Sequence, residues 1–197
     1  MPNFRHPKHC ATCCPCVAGT GLRQGEAFGL TATHVDFLRR TVRVDQQLVS
    51  LQGKAPYLAP PKTAASHRTV PVPQLVVDAL ADHMAKFPPG DDGLLFTTRD
   101  GKPWSRNRFG EVWRAAVARA ALPHGTRFHE LRHFYASLLI RHGESVKTVQ
   151  ARLGHASAVE TLNTYGHLWP DADDRTRDAV AEVLGNLARP ARGLDTA

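Results

Sequence analysis

Tyr165 closes a series of basic residues, Arg23, Lys62, His129, Arg132 and His155, whose types suit an attack on phosphorus. A tyrosine hydroxyl has an ordinary pKa near ~10 and is a poor nucleophile at neutral pH. It becomes a useful one where fixed cations stabilise the charge that develops on a phosphate under attack. Two arginines among them carry the permanent positive charge that such stabilisation needs. A lysine and two histidines add further basic groups that could converge on the same phosphodiester. Preorganised cations replace the metal that many phosphoryl-transfer sites use, so this set calls for no metal and no cofactor.

Such residues act together only if the chain places them together. Phe128, Leu131, Tyr135, Leu138 and Leu139 form an apolar stripe that predicts a helix from Phe128 to His142, ended by Gly143. His129 and Arg132 then project from one face beside that stripe, while His133 next to them reads as a core or surface histidine. Gly21 suits a tight turn, and Gln24 to Gly29 predicts a short helix with Glu26 one turn beyond Arg23, placed to orient it. Val35–Phe37, Thr41–Val44, Gln47–Leu51 and Thr69–Val72 are candidate strands, and Lys62 lies on the connection between the last two. In that basic loop His67 and Arg68 compete with Lys62 as the side chain that reaches an anion. Further helices are expected from Pro73 to about Lys86, from Ser105 through Ala121, from Ser145 to Gly154, over Thr161–Tyr165, and from Asp173 to about Ala188. In the helix after Pro73, Leu75 is expected to face inward with Val76, Ala79, Leu80 and His83. The expected fold is mainly α with a small antiparallel three-stranded β-sheet, an α+β domain over residues 18–190 with a flexible tail at 191–197.

The 197 residues suffice for one full core. With 25 Lys and Arg against 18 Asp and Glu, the net charge is +7 before the histidines, which favours a polyanionic partner, nucleic acid being the simplest. The apolar runs are far too short to cross a bilayer, and no signal-peptide pattern is seen, so a cytoplasmic protein without membrane association is expected. Residues 1–17 show no periodicity and read as an irregular segment. Cys10, Cys13, Cys14 and Cys16 cluster there after His6 and His9. Cys-x-x-Cys spacing can hold zinc, but no second pair follows across a loop, so unpaired thiols in a disordered start are the favoured reading.

Four segments together resemble the tyrosine recombinase, or phage integrase, family. Gly19-Thr20-Gly21-Leu22-Arg23-Gln24-Gly25-Glu26 is similar to its first arginine box, and His129-Glu130-Leu131-Arg132-His133 to its His-x-x-Arg box. Leu153-Gly154-His155, followed by Thr164-Tyr165-Gly166-His167, resembles the segment that ends in the nucleophile. Pro61-Lys62-Thr63, with Ser66-His67-Arg68-Thr69-Val70-Pro71 after it, looks like the hairpin that carries the catalytic lysine. The resemblance implies site-specific recombination of double-stranded DNA. In it Arg23 and Arg132 grip the scissile phosphate, Tyr165 forms a 3′-phosphotyrosyl bond, and Lys62 protonates the leaving 5′ oxygen. His129 assists removal of the tyrosine proton, and His155 hydrogen-bonds the phosphoryl group. It also implies a synaptic tetramer, and needs neither ATP nor metal because the phosphotyrosine retains the bond energy.

Full-length members also carry an N-terminal core-binding domain, for which the stretch before Arg23 has no room. Their catalytic domain opens on an apolar helix, where this chain has Arg5-His6-Pro7-Lys8-His9-Cys10. A lost or degraded first helix is therefore expected. Two alternatives stand beside strand transfer: an impaired, DNA-binding remnant, and topoisomerase-like relaxation of supercoils.

Overall fold

A computed structural model describes residues 12–90, 92–169 and 173–187. Eight α-helices and five strands, with three short 3-10 turns between them, follow one another in these residues. Helix α1 (Cys13–Thr20) and the short α2 (Gln24–Phe28) lead into β1 (Val35–Asp36), β2 (Thr41–Val44), β3 (Gln47–Val49), β4 (Tyr57–Ala59) and β5 (Arg68–Pro71). Then come α3 (Gln74–Lys86), α4 (Arg106–Arg119), α5 (Glu130–Arg141), α6 (Val146–Leu153), α7 (Ala158–Tyr165) and α8 (Asp173–Leu187). The α+β class expected from periodicity holds.

The first helix corrects the irregular reading of residues 1–17. From Cys13 onward the chain is helical, and Cys13, Cys16, Val17 and Thr20 are buried. Pro15 stands in the first turn, where the backbone N–H it lacks would have had no partner within the helix. Thiols pack here as small apolar side chains. Burial pushes the Cys16 thiol up to about 12, so it stays a protonated packing group. A first packing helix is thus present rather than lost, with cysteines on its buried face; Cys10 lies outside the described residues. Gly21 ends α1 in the left-handed conformation (φ 66°), and a Cβ there would run into the Tyr135 ring of α5.

Three strands form one antiparallel sheet in the order β1-β2-β5, with Val42 opposite both Val35 and Val70. Val42, Val44 and Val70 point inward, while Arg43 between them is exposed. Gln47–Val49 does not join this sheet. It pairs with β4 in a separate two-stranded ribbon that packs on α2. Strand β4, between Pro56 and Pro60, was not anticipated, because two of its three side chains are exposed and give no alternation to read.

Helix α5 organises the helical half. Helix α1 packs along it and also meets α3, while α6 lies against α5 and α7. An aromatic cluster of Phe28, Trp104, Phe109, Trp113 and Phe128 ties α4 to the base of α5. On α3 the inward residues are Val76, Val77, Leu80 and His83, and Leu75, placed inward by its spacing, is 76% exposed. Helix α8 differs from the rest: Val180, Val183 and Leu184 all lie exposed on it. No helix among the described residues is long and apolar enough to cross a membrane.

Candidate active site

The segment Leu153-Gly154-His155, at the end of α6, gathers the basic groups. Arg132, on α5, is 1% exposed and donates to the carbonyls of Gly21 and Leu153, each at 2.6 Å. Its guanidinium thus ties the end of α1 to the end of α6. Burial, with the charge of Arg23 beside it, pushes it down to about 9, which still leaves it protonated at neutral pH. Arg23, the N-cap of α2, donates to the Gly154 carbonyl at 3.4 Å and stays 35% exposed. The two arginines therefore reach the same turn from different elements, one fixed and one open to solvent.

Glu26 holds this arrangement from below. It is 3% exposed and accepts the Arg23 backbone N–H at 2.8 Å and the Arg23 guanidinium at 3.0 Å. It also receives two donors of Arg68, at 3.1 and 2.8 Å. Burial alone would raise its carboxyl, but hydrogen bonds and charge from Arg68 and Arg23 hold it below the ordinary carboxylate range. Arg68 is itself buried and donates through Nε to the Arg152 carbonyl at 2.8 Å. It was a candidate to reach an anion; the structure makes it a buried partner of Glu26. Gly154 (φ 66°) allows the close approach, since a Cβ there would stand 2.9 Å from the Arg68 guanidinium.

His155 and Tyr165 close the other side. His155 is buried, and its Nδ1 shares a hydrogen bond of 2.9 Å with Thr161 Oγ1. Burial, reinforced by the Arg132 charge, lowers it to about 4, so the ring is neutral at pH 7. It lies parallel to the Tyr165 ring at a centroid distance of 6.5 Å. Tyr165, at the last position of α7, is 4% exposed. Burial raises its hydroxyl above the usual tyrosine value, with Arg132 pulling the other way. The Tyr165 hydroxyl is 2.8 Å from His133 Nδ1. His129, whose position just before α5 makes it exposed, meets the His133 ring edge-on at 4.7 Å. Partial desolvation of its ring and then the neighbouring His133 hold His129 below its ordinary value.

Arg23, Glu26, Arg132, His155 and Tyr165 thus come together, with His129 one ring further out. Lys62 does not join them. It is exposed on the loop between β4 and β5. His133 was the residue undervalued in the sequence. Its signal was available: it follows Arg132 directly and lies four residues beyond His129, on the same face of α5. Next to His129 a groove of about 960 Å³ opens between α4 and the chain before α5, lined by Gln24, Arg106, Asn107, Arg114 and Arg127. Other surface arginines are partnered: Arg39 with Asp36, Arg43 with Asp45 and Arg108 with Asp100.

Residues 6–171 match the profile of the phage integrase family. The chain is similar to the XerC-like tyrosine recombinase of Caldanaerobacter subterraneus subsp. tengcongensis, 33% identical over 189 residues, covering 86% of this chain and 47% of that protein. It is also similar to the transposase of transposon Tn916 from Enterococcus faecalis, at 30% over 161 residues, covering 75% and 40%. It therefore spans about half the length of the curated relatives it matches. Among solved structures, the Tn1549 transposon integrase in complex with circular intermediate DNA aligns at a TM-score of 0.73 and 27% identity, over 93% of this chain and 62% of that one. The catalytic domain of bacteriophage HP1 integrase shares the fold, with a TM-score of 0.54.

Proposed function

The chain belongs to the phage integrase family, and from that premise we propose that it cuts and rejoins double-stranded DNA at specific sites through a covalent tyrosine intermediate. The observation that carries this reading is the meeting of Arg23, Arg132, His155 and Tyr165 at the turn Leu153–His155. A phosphodiester seated there would face two guanidinium groups, one buried and one open to solvent. Both are positioned before the substrate arrives, so little reorganisation accompanies the developing charge. Tyr165 attacks phosphorus and the 5′ oxygen leaves, which yields a 3′-phosphotyrosyl bond. His155, neutral and oriented by Thr161, offers its ring to a phosphoryl oxygen. Lys62 protonates the leaving oxygen after its loop folds over the bound strand. Attack by the 5′-hydroxyl of a partner strand reverses the step, with no need for ATP or metal.

The groove beside His129, with Arg106, Arg114 and Arg127 along it, supplies a path for the phosphate backbone. The Tn1549 integrase is described bound to its transposon DNA, which supports the same class of ligand here. The exposed apolar residues of α8 fit a second copy of the chain, as a synaptic tetramer requires. Such a reaction would run in the cytoplasm, where its DNA is.

Trapping tests the proposal. The full chain is incubated with a pool of nicked suicide duplexes, whose cleaved strand diffuses away and leaves the protein attached. A covalent adduct that is absent in Tyr165→Phe is expected. Binding without any adduct would favour a DNA-binding remnant, and unselective relaxation of plasmid would favour a topoisomerase.

A further inference from the structure

Resting on that reading, we infer that His133, one residue beyond the second arginine, is the group that accepts the proton of Tyr165. Its Nδ1 is the hydrogen-bond partner of the Tyr165 hydroxyl, at 2.8 Å. The two rings are 5.5 Å apart at 61°. His129, the histidine of the His-x-x-Arg box, touches His133 edge-on and has no hydrogen bond to the tyrosine among the described residues. Position on the helix explains the difference. Tyr165, at the end of α7, comes down beside the first turn of α5, where residue 133 points toward it. His129 precedes that turn and is exposed.

With the imidazole proton on Nε2, Nδ1 is an acceptor and the phenol donates to it. In the forward step the O–H bond of Tyr165 breaks, its proton passes to Nδ1, and the phenolic oxygen bonds to phosphorus. The bond from phosphorus to the 5′ oxygen breaks, and that oxygen takes its proton from Lys62. In the reverse step His133 returns its proton to the departing tyrosine, so no co-reactant is consumed. A base in contact matters here because burial keeps this hydroxyl protonated. Arg132, which opposes that effect, has donors committed to two carbonyls.

The test separates proton transfer from positioning. His133→Asn keeps an acceptor near the Nδ1 position but cannot take up a proton. Adduct formation on the suicide substrate should fall by about 10²-fold, within the usual range for losing general acid–base help. Installing 3,5-difluorotyrosine at position 165, a more acidic phenol that depends less on a base, should raise the rate of His133→Asn by a clearly larger factor than it changes the rate of the protein that keeps His133. An Asn variant at the original rate, or an equal gain from the fluorinated phenol in both backgrounds, overturns the inference. A second measurement needs no turnover: the 19F resonance of 3-fluorotyrosine at position 165 should move in His133→Asn and move less in His129→Asn. An unmoved resonance also overturns it. If the unaltered chain forms no adduct at all, the strand-transfer reading falls instead, and the 19F spectrum tells the two failures apart.

Discussion

The two halves of the proposed catalytic set are built in opposite ways. Around Arg132 the supporting groups are enclosed, with Arg23 partly open to solvent: Glu26 at 3% exposure sits between Arg23 and Arg68, and Tyr165 at 4% lies against His133 and His155. Lys62 is exposed, on a loop beyond a ribbon of three-residue strands. The enclosed half is held by the same bonds that hold the fold, so it exists without substrate. The loop itself is tied down through Pro60 and Ser66, but the Lys62 side chain on it is exposed and is left to be positioned by what it binds. A charge that stabilises a transition state gains from being fixed beforehand, whereas a proton donor needs to arrive only when the leaving group departs.

That contrast predicts a set of unequal effects. Tyr165→Phe should abolish adduct formation on suicide DNA while leaving the thermal midpoint almost unchanged, since only one hydrogen bond is lost, worth about 1 kcal/mol. Lys62→Ala should slow cleavage by about 10²-fold, with an unfolding free energy within about 0.5 kcal/mol of the original. A 5′-bridging phosphorothiolate, whose sulfur leaves without protonation, should restore its rate. A large stability loss in Lys62→Ala would show that the loop is part of the frame and break the contrast. Glu26→Gln should do the reverse and destabilise by about 3 kcal/mol in urea, because Arg68 is left buried without its counter-charge. Its activity should fall with the folded fraction and with the misplacement of Arg23.

Acid should expose the same division more gently. His155 binds its proton less readily folded than unfolded, so its contribution to stability is present above the ordinary histidine range. That contribution is lost as the pH falls toward about 4. Glu26, depressed in the folded chain, adds a second loss below the usual carboxylate range. His155→Gln should flatten the upper part of a stability profile measured by urea melts from pH 7 to 4; an unchanged profile would place the sensitivity elsewhere. The smallest effect is expected at Leu38, 97% exposed in the β1–β2 turn, where Leu38→Ser should shift stability by less than about 0.5 kcal/mol.

Much of the enclosed half was legible because it is written locally. Arg23 and Glu26 are three residues apart at the start of a helix, and the spacing alone predicts their pairing. The stripe on α5 likewise announced the helix that carries Arg132. The place of His133 was legible, four residues beyond His129, but its pairing with Tyr165 was not, since that depends on the end of α7 coming down beside α5, a tertiary contact that no local pattern encodes. Arg68 misled for the same reason: its acidic partner lies 42 positions earlier. Helix α1 was missed because cysteines and a first-turn proline disguise an apolar face, and β4 because three half-exposed residues carry no period. Lys62 could be located on its loop but not brought to the phosphate, because the resting chain does not bring it there.

Arg132 carries one consequence for heredity. Its guanidinium joins the ends of α1 and α6, so a copy of this gene released from selection for DNA cleavage, but still selected to fold, could not readily discard it. Decay would begin at Lys62 and at exposed positions on the groove, and reach the buried arginine last. An idle descendant would then still display an intact His-x-x-Arg box, and its silence would have to be read from the loop.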